Sequence, residues 1–158
     1  MIDEKAFRDA LHELLHNPEL LKMKQYYQHG GNTYAHSVDV ARTSLKIAQH
    51  LPFRVKEKDL ARGAMLHDFY LYGTDNMPWT AHQHGTRHPK VAYTNASRLF
   101  HLTDTEKDII LTHMWPLNFT RPPRCRESVV VTLADKYCAT REFGRHFAHI
   151  LHRRFSPR

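Results

Sequence analysis

The sequence predicts an all-α fold, on three observations. Apolar residues recur at three- and four-residue spacing in segment after segment. No alternating apolar–polar run longer than a few residues marks a strand. Prolines and capping residues stand where the periodic segments begin and end.

The elements follow in order. Residues 4–16 place Phe7, Leu11, Leu14 and Leu15 on one helical face. Asn17-Pro18 ends that helix, and a short one, "PELLKMKQYY", follows with proline at its first position. "QHGGNT" reads as a loop. A long helix runs from about Tyr34 to Leu51 and stops at Pro52. Another runs from about Lys56 to Leu71, with Glu57 and Asp59 in its first turn, where the helix dipole favours acids. Residues 72–87, "YGTDNMPWTAHQHGTR", are the longest irregular stretch and, with Trp79, the expected rim of a pocket. "HPKVAYTNASRLFHL" opens a helix with Pro89 at its first position, and "TDTEKDIILTHMW" opens one with a Thr103–Glu106 capping box. Pro116, Pro122 and Pro123 bracket a second loop. "RESVVVTLADKYCATREF" is a helix, and "RHFAHILHRRF", after Gly144, is a final basic one.

The totals narrow the class. A chain of 158 residues suits one domain, residues 1–158, with a single core. With 41% hydrophobic and 25% charged residues it is not a disordered chain. No apolar run is long enough to span a bilayer, so no membrane partner is expected. "MIDEKAFRDALHELL" lacks the apolar core of a signal peptide. Cys125 and Cys138 are too few for a disulfide framework, so a reducing, cytoplasmic setting is expected. The net charge of +7 favours anionic partners, in the first place a phosphate-containing small molecule. Nucleic acid fits the charge as well, but no recognition motif for it is present.

The chain also holds 14 histidines, and position decides which of them matter. His36 shares a helical face with Val40, Thr43 and Ile47. His88 shares one with Val91, Ala92, Asn95 and Leu99. His113 follows Ile109 and Ile110, and Asp135 lies with Val131, Ala134 and Cys138. His67 and Asp68 sit in "MLHDFYLY", which otherwise reads as core. Any one of these histidines alone fits a satisfied core residue. Aspartate is almost never buried unpaired, however, and six such groups on five helices call for a common cause. A metal centre supplies one: four imidazoles and two carboxylates suit manganese, iron, nickel or cobalt. Neighbours on a helix point about 100° apart, so one of the adjacent pair can reach one ion while the other's carboxylate bridges to a second. His82 and His84 compete with His88, which is preferred because a helix fixes it. His29, before Gly30-Gly31, is an entrance or surface residue. His146, His149 and His152 read as a solvated basic face.

The order His36, His67-Asp68, Asp135 resembles the HD superfamily of metal-dependent phosphohydrolases. "TYAHSVDVA", "ARGAMLHDF" and "VTLADKYCA" look like its first-histidine, His-Asp and last-aspartate helices. His88 in "HPKVAYTNA" and His113 in "LTHMWP" fall where dinuclear members supply two further histidines. The likeness runs from about Tyr34 to Glu142. It implies an HD-domain helical bundle with the metal site in the core. It also implies one or two divalent ions per chain (Mn, Fe, Ni, Co, Mg or Zn) held by His36, His67, Asp68, His88, His113 and Asp135, with Asp68 as the bridge. The implied reaction is hydrolysis of a phosphomonoester or phosphodiester, often of a nucleotide, by a metal-bound hydroxide.

Two departures bear on substrate. Many members continue the His-Asp pair as Ile-Gly-Lys, where this chain has Phe69-Tyr70-Leu71, so that lysine is missing. The Gly-Tyr-Pro motif of cyclic-di-GMP phosphodiesterases is absent too. Lys90, two residues after His88, and Lys136, beside Asp135, are the candidate phosphate-holding cations. Two other readings use the same residues. One is an HD-fold di-iron oxygenase with six ligands. The other is a metal-stabilised module that binds nucleic acid through basic segments such as "HRRFSPR".

Overall fold

The computed structural model describes residues 3–28, 31–70 and 80–155, with the backbone alone at 27, 28, 81, 82, 84 and 146–155. Asp3 starts the first helix, α1 (Glu4–Leu15), by accepting from the amides of Lys5 and Ala6 at 2.9 and 3.1 Å. This satisfies two of the amides that every helix start leaves unpaired. Phe7, Leu11 and Leu14 form its buried face, as their spacing predicts. Asn17 caps α2 (Pro18–Leu21) in the same way, and the chain tightens into a 3₁₀ turn over Lys22–Gln25.

Here the sequence reading is corrected. "PELLKMKQYY" is not one helix. Its tyrosine end is extended, and Tyr27–Gln28 (β1) pairs antiparallel with Gly31–Asn32 (β2) inside the expected loop. Aromatic residues favour extended backbone, and four residues make a weak helix. His29 lies outside the described residues.

Asn32 caps α3 (Thr33–Ala48), its side chain accepting from the Ala35 amide at 2.8 Å. This helix stops short of Leu51. The next, α4 (Glu57–Leu66), is the centre of the molecule: every residue from Leu60 to Tyr70 is buried. It packs against α3 and α1 and against two later helices, α6 (Asp104–Thr112) and α7 (Arg126–Phe155). Gly63 permits the closest approach, since a Cβ there would stand 2.5 Å from Ile109 Cδ1 of α6. Arg62, buried in α4, is neutralised by Glu106 of α6 and by Glu13 of α1.

α4 ends at Leu66, not Leu71. The Phe69 amide bonds the Leu66 carbonyl at 3.1 Å and the Tyr70 amide bonds the Asp68 carbonyl at 2.7 Å, which turns the chain. His67 and Asp68 therefore leave the helix at its C-terminus and do not lie within it.

α5 (Ala81–Leu99) begins well before Pro89. Thr80 and Gln83 form a reciprocal capping box, and residues expected in the irregular stretch are helical. Interior proline costs about 3 kcal/mol. The capping box and a buried face that includes His88, Ala92 and Ala96 offset that loss. Of the expected pocket rim, residues 72–79 with Trp79 lie outside the described residues. The Thr103–Glu106 capping box of α6 forms as expected. α7 is one helix of 30 residues that passes through Gly144 without a break. A glycine in a helix costs only about 1 kcal/mol, too little to end it there.

Among the described residues there are thus seven α-helices and one two-residue strand pair. None of these helices is long and apolar enough to cross a membrane.

Candidate metal centre

Five helices deliver six polar side chains to one buried point. His36 comes from the first turn of α3, His67 and Asp68 from the end of α4, and His88 from the middle of α5. His113 comes from the end of α6 and Asp135 from α7. His67 is fully buried, and His36, His88, His113 and Asp68 are each at most 5% exposed. The Asp135 side chain is 13% exposed and forms the wetter edge.

The local backbone aims two of the rings. His67 caps α4, and its Nδ1–H donates to the Ala64 carbonyl at 2.6 Å. His113 caps α6, and its Nδ1–H donates to the Ile110 carbonyl at 2.9 Å. Helix C-termini leave carbonyls unpaired, so an imidazole at the cap finds one three residues back. Both rings consequently turn Nε2 inward. α5 is tied to the turn after α4 by Asn95, seven residues after His88, whose Nδ2–H donates to the Phe69 carbonyl at 2.9 Å. The Tyr70 ring packs edge-on against His88, with centroids 5.4 Å apart.

The inward atoms form two overlapping groups. His36 Nε2 is 3.1 Å and His67 Nε2 is 3.7 Å from Asp135 Oδ1. On the other side, His88 Nε2 is 3.2 Å and His113 Nε2 is 3.5 Å from Asp68 Oδ1. Asp68 joins the groups, because its second oxygen, Oδ2, is 3.5 Å from His67 Nε2. Two triads, His36–His67–Asp135 and His67–Asp68–His113, each place one donor atom per residue within 4.8 Å of the others.

The charges explain the burial. Burial raises the Asp68 carboxyl, but the charge on His67 and the imidazoles of His113 and His88 beside it outweigh that and hold Asp68 well below the usual carboxylate range. Burial likewise opposes ionisation of Asp135, and the imidazoles of His36 and His67 beside it hold it low. Burial alone would lower His36. Asp135 and Glu142, hydrogen-bonded to it, raise it well above the ordinary imidazole value. His67 is raised as well, Asp68 and Asp135 outweighing burial. His113 goes the other way, pushed by burial down to about 4.

These residues fit a divalent ion. His67 Nε2 is buried and makes no hydrogen bond among the described residues. Metal–ligand bonds of about 2.1 Å place neighbouring ligands roughly 3.0–3.4 Å apart, close to the separations above. Nitrogen and carboxylate donors in this mixture suit first-row transition metals.

All six expected ligand candidates are therefore brought together, and the two candidate phosphate-holding lysines differ in their settings. Lys90 is exposed on α5. Lys136 is half-buried, and its Nζ donates to the His113 carbonyl at 3.0 Å. Burial lowers its pKa, against a smaller opposing pull from Asp135. The side chains of His82, His84, His146, His149 and His152 lie outside the described residues. Sequence reasoning missed Glu142, whose two oxygens are each 3.1 Å from His36 Nδ1. Its spacing was the available signal: Glu142 follows Asp135 by seven residues, two helical turns on the same face.

An all-helical protein with a buried His/Asp cluster that joins five helices is thus the class defined by the fold and the site. The particular family follows: the chain belongs to the HD domain family, whose pattern it matches over residues 33–140. That family is one of metal-dependent phosphohydrolases, and the matched span includes all six clustered residues. No curated protein and no solved structure gives a significant match.

Proposed function

We propose that this protein hydrolyses a phosphate ester at a divalent-metal centre held by His36, His67, Asp68, His88, His113 and Asp135. The observation that carries this reading is the placement of Asp68. One of its oxygens faces His67 at 3.5 Å, and the other faces His88 and His113 at 3.2 and 3.5 Å. This placement supports a carboxylate that would be shared between two ions. When bound, such ions supply an acidified water and neutralise charge that builds on phosphoryl oxygens.

The chain's own residues do the rest. The carbonyls of Ala64 and Ile110 hold His67 and His113 in the tautomer that presents Nε2. Among the described residues, the core around α4 buries five of the six side chains, and Asp135, its side chain 13% exposed, is the most open of them. The net charge of +7 favours an anionic substrate. Lys90 and Lys136 are the proposed cations for its phosphate. Lys90 is free to reach outward from α5, whereas Lys136 must exchange its bond to the His113 carbonyl.

The test is a panel of phosphomonoesters, phosphodiesters and nucleotides, assayed with manganese under nitrogen. Turnover there that disappears with a chelator supports a hydrolase. No turnover, together with iron-dependent oxygen consumption, replaces it with the oxygenase reading.

A further inference from the structure

We infer that Glu142 is a positioning residue for this metal centre, acting through His36. The inference rests on the proposed metal site and reaches beyond it, because Glu142 lies outside the span 33–140 that matches the family. His36 is held between two acids of one helix. Its Nε2 faces Asp135 at 3.1 Å, and its Nδ1 faces both oxygens of Glu142 at 3.1 Å. The Glu142 side chain is only 14% exposed, so water screens this contact weakly.

The reason for a side-chain partner lies in where His36 stands. His67 and His113 sit at helix C-termini, where unpaired carbonyls accept their Nδ1–H. His36 is in the first turn of α3, and a helix start offers unpaired amides, which are donors, and not carbonyls. Its Nδ1 meets a side-chain acceptor from α7. A neutral imidazole carries one N–H. Donation from Nδ1 to Glu142 leaves the Nε2 lone pair facing Asp135 and His67, ready for a cation. The opposite tautomer would aim a proton at the site. Carboxylates that orient metal-binding histidines in this way are worth about 10–100-fold in metal affinity.

The experiment is a Co²⁺ titration of the full-length, metal-stripped protein, followed by visible absorption and chelator competition. It compares wild type, Glu142→Ala, Glu142→Gln, His36→Ala and the double variant His36→Ala/Glu142→Ala. Glu142→Ala is expected to weaken one class of site about 10–100-fold and leave the His88–His113 side unchanged. Glu142→Gln, whose amide oxygen still accepts from Nδ1–H, is expected to keep most of the affinity. In the His36→Ala background, Glu142→Ala should have no further effect, as expected for a residue that acts through His36. Wild-type affinity in Glu142→Ala overturns the inference. So does an equal loss with and without His36. Should Glu142→Ala lose helical signal by circular dichroism, Glu142→Leu keeps the bulk without the acceptor and is held to the same outcomes. A wild type that binds no Co²⁺ overturns the metal centre itself, and is thereby distinguished from failure of Glu142 alone.

Discussion

The Nε2 atoms of His88 and His113 lie 2.7 Å apart, joining the middle of α5 to the end of α6. Two lone pairs cannot face each other at that distance, so a proton or a cation must stand between them. His113 already donates from Nδ1 to the Ile110 carbonyl, and burial pushes its pKa down to about 4. A metal ion that bound both rings would take the place of a proton in this contact.

Metal content tests this directly. Elemental analysis of untagged protein should give close to two ions per chain, falling towards one in His88→Ala and in His113→Ala, with helicity retained. An unchanged content in both variants would confine the centre to His36, His67, Asp68 and Asp135.

Asp68 faces three imidazoles at 3.2 to 3.5 Å. Asp68→Ala should reduce phosphate-ester turnover by at least about 10²–10³-fold, the range for removing one charge-stabilising group. The far-UV dichroism should persist. Wild-type turnover in this variant would remove Asp68 from the reaction.

Metal and protons compete at His36. The metal-free fold raises His36, so its contribution to stability is full below the unfolded value of about 6.5 and is lost as pH rises through the raised value. Asp68 and Asp135 are depressed, so their contribution persists above about 3.9 and is lost only in acid. The melting temperature of metal-free protein should therefore fall from pH 6 to pH 8. Metal affinity should rise over the same interval, because binding expels the His36 proton. Calorimetry in buffers of different ionisation enthalpy measures that release. Metal binding without proton release would contradict the assignment of His36 as a ligand.

Arg62 is enclosed by α4, α6 and α1, and Glu106 beside it is 1% exposed. Arg62→Met should destabilise the protein by about 3–5 kcal/mol, since it strands a buried carboxylate. Urea unfolding measures this, and a loss below about 1 kcal/mol would mean that Glu106 is satisfied by its capping bonds to α6 alone.

The six clustered residues were legible before the fold was known, because each sits at helical spacing from apolar neighbours and aspartate does not go unpaired into a core. The Thr103–Glu106 capping box was equally legible, since both partners lie within one turn. The start of α5 was not. Pro89 reads as a first helical residue, and only the competing Thr80–Gln83 capping box together with the buried face of α5 moves the start upstream. The end of α4 was overrun for a related reason. The largely apolar run from Leu60 to Tyr70 records burial on all sides, and burial continues past the last helical turn.

By itself, then, the sequence determined the helical class, the residue types of the site and the family, all properties of spacing along one chain. The tertiary structure decided which atoms meet: Asp68 between three imidazoles, His88 against His113, and His36 between Asp135 and Glu142. Those partners lie as much as 106 residues apart. Helical periodicity sets the direction of a side chain about its own axis, whereas the distance between two side chains depends on how the helices cross. That crossing is set by close packing around α4, at points such as Gly63 against Ile109.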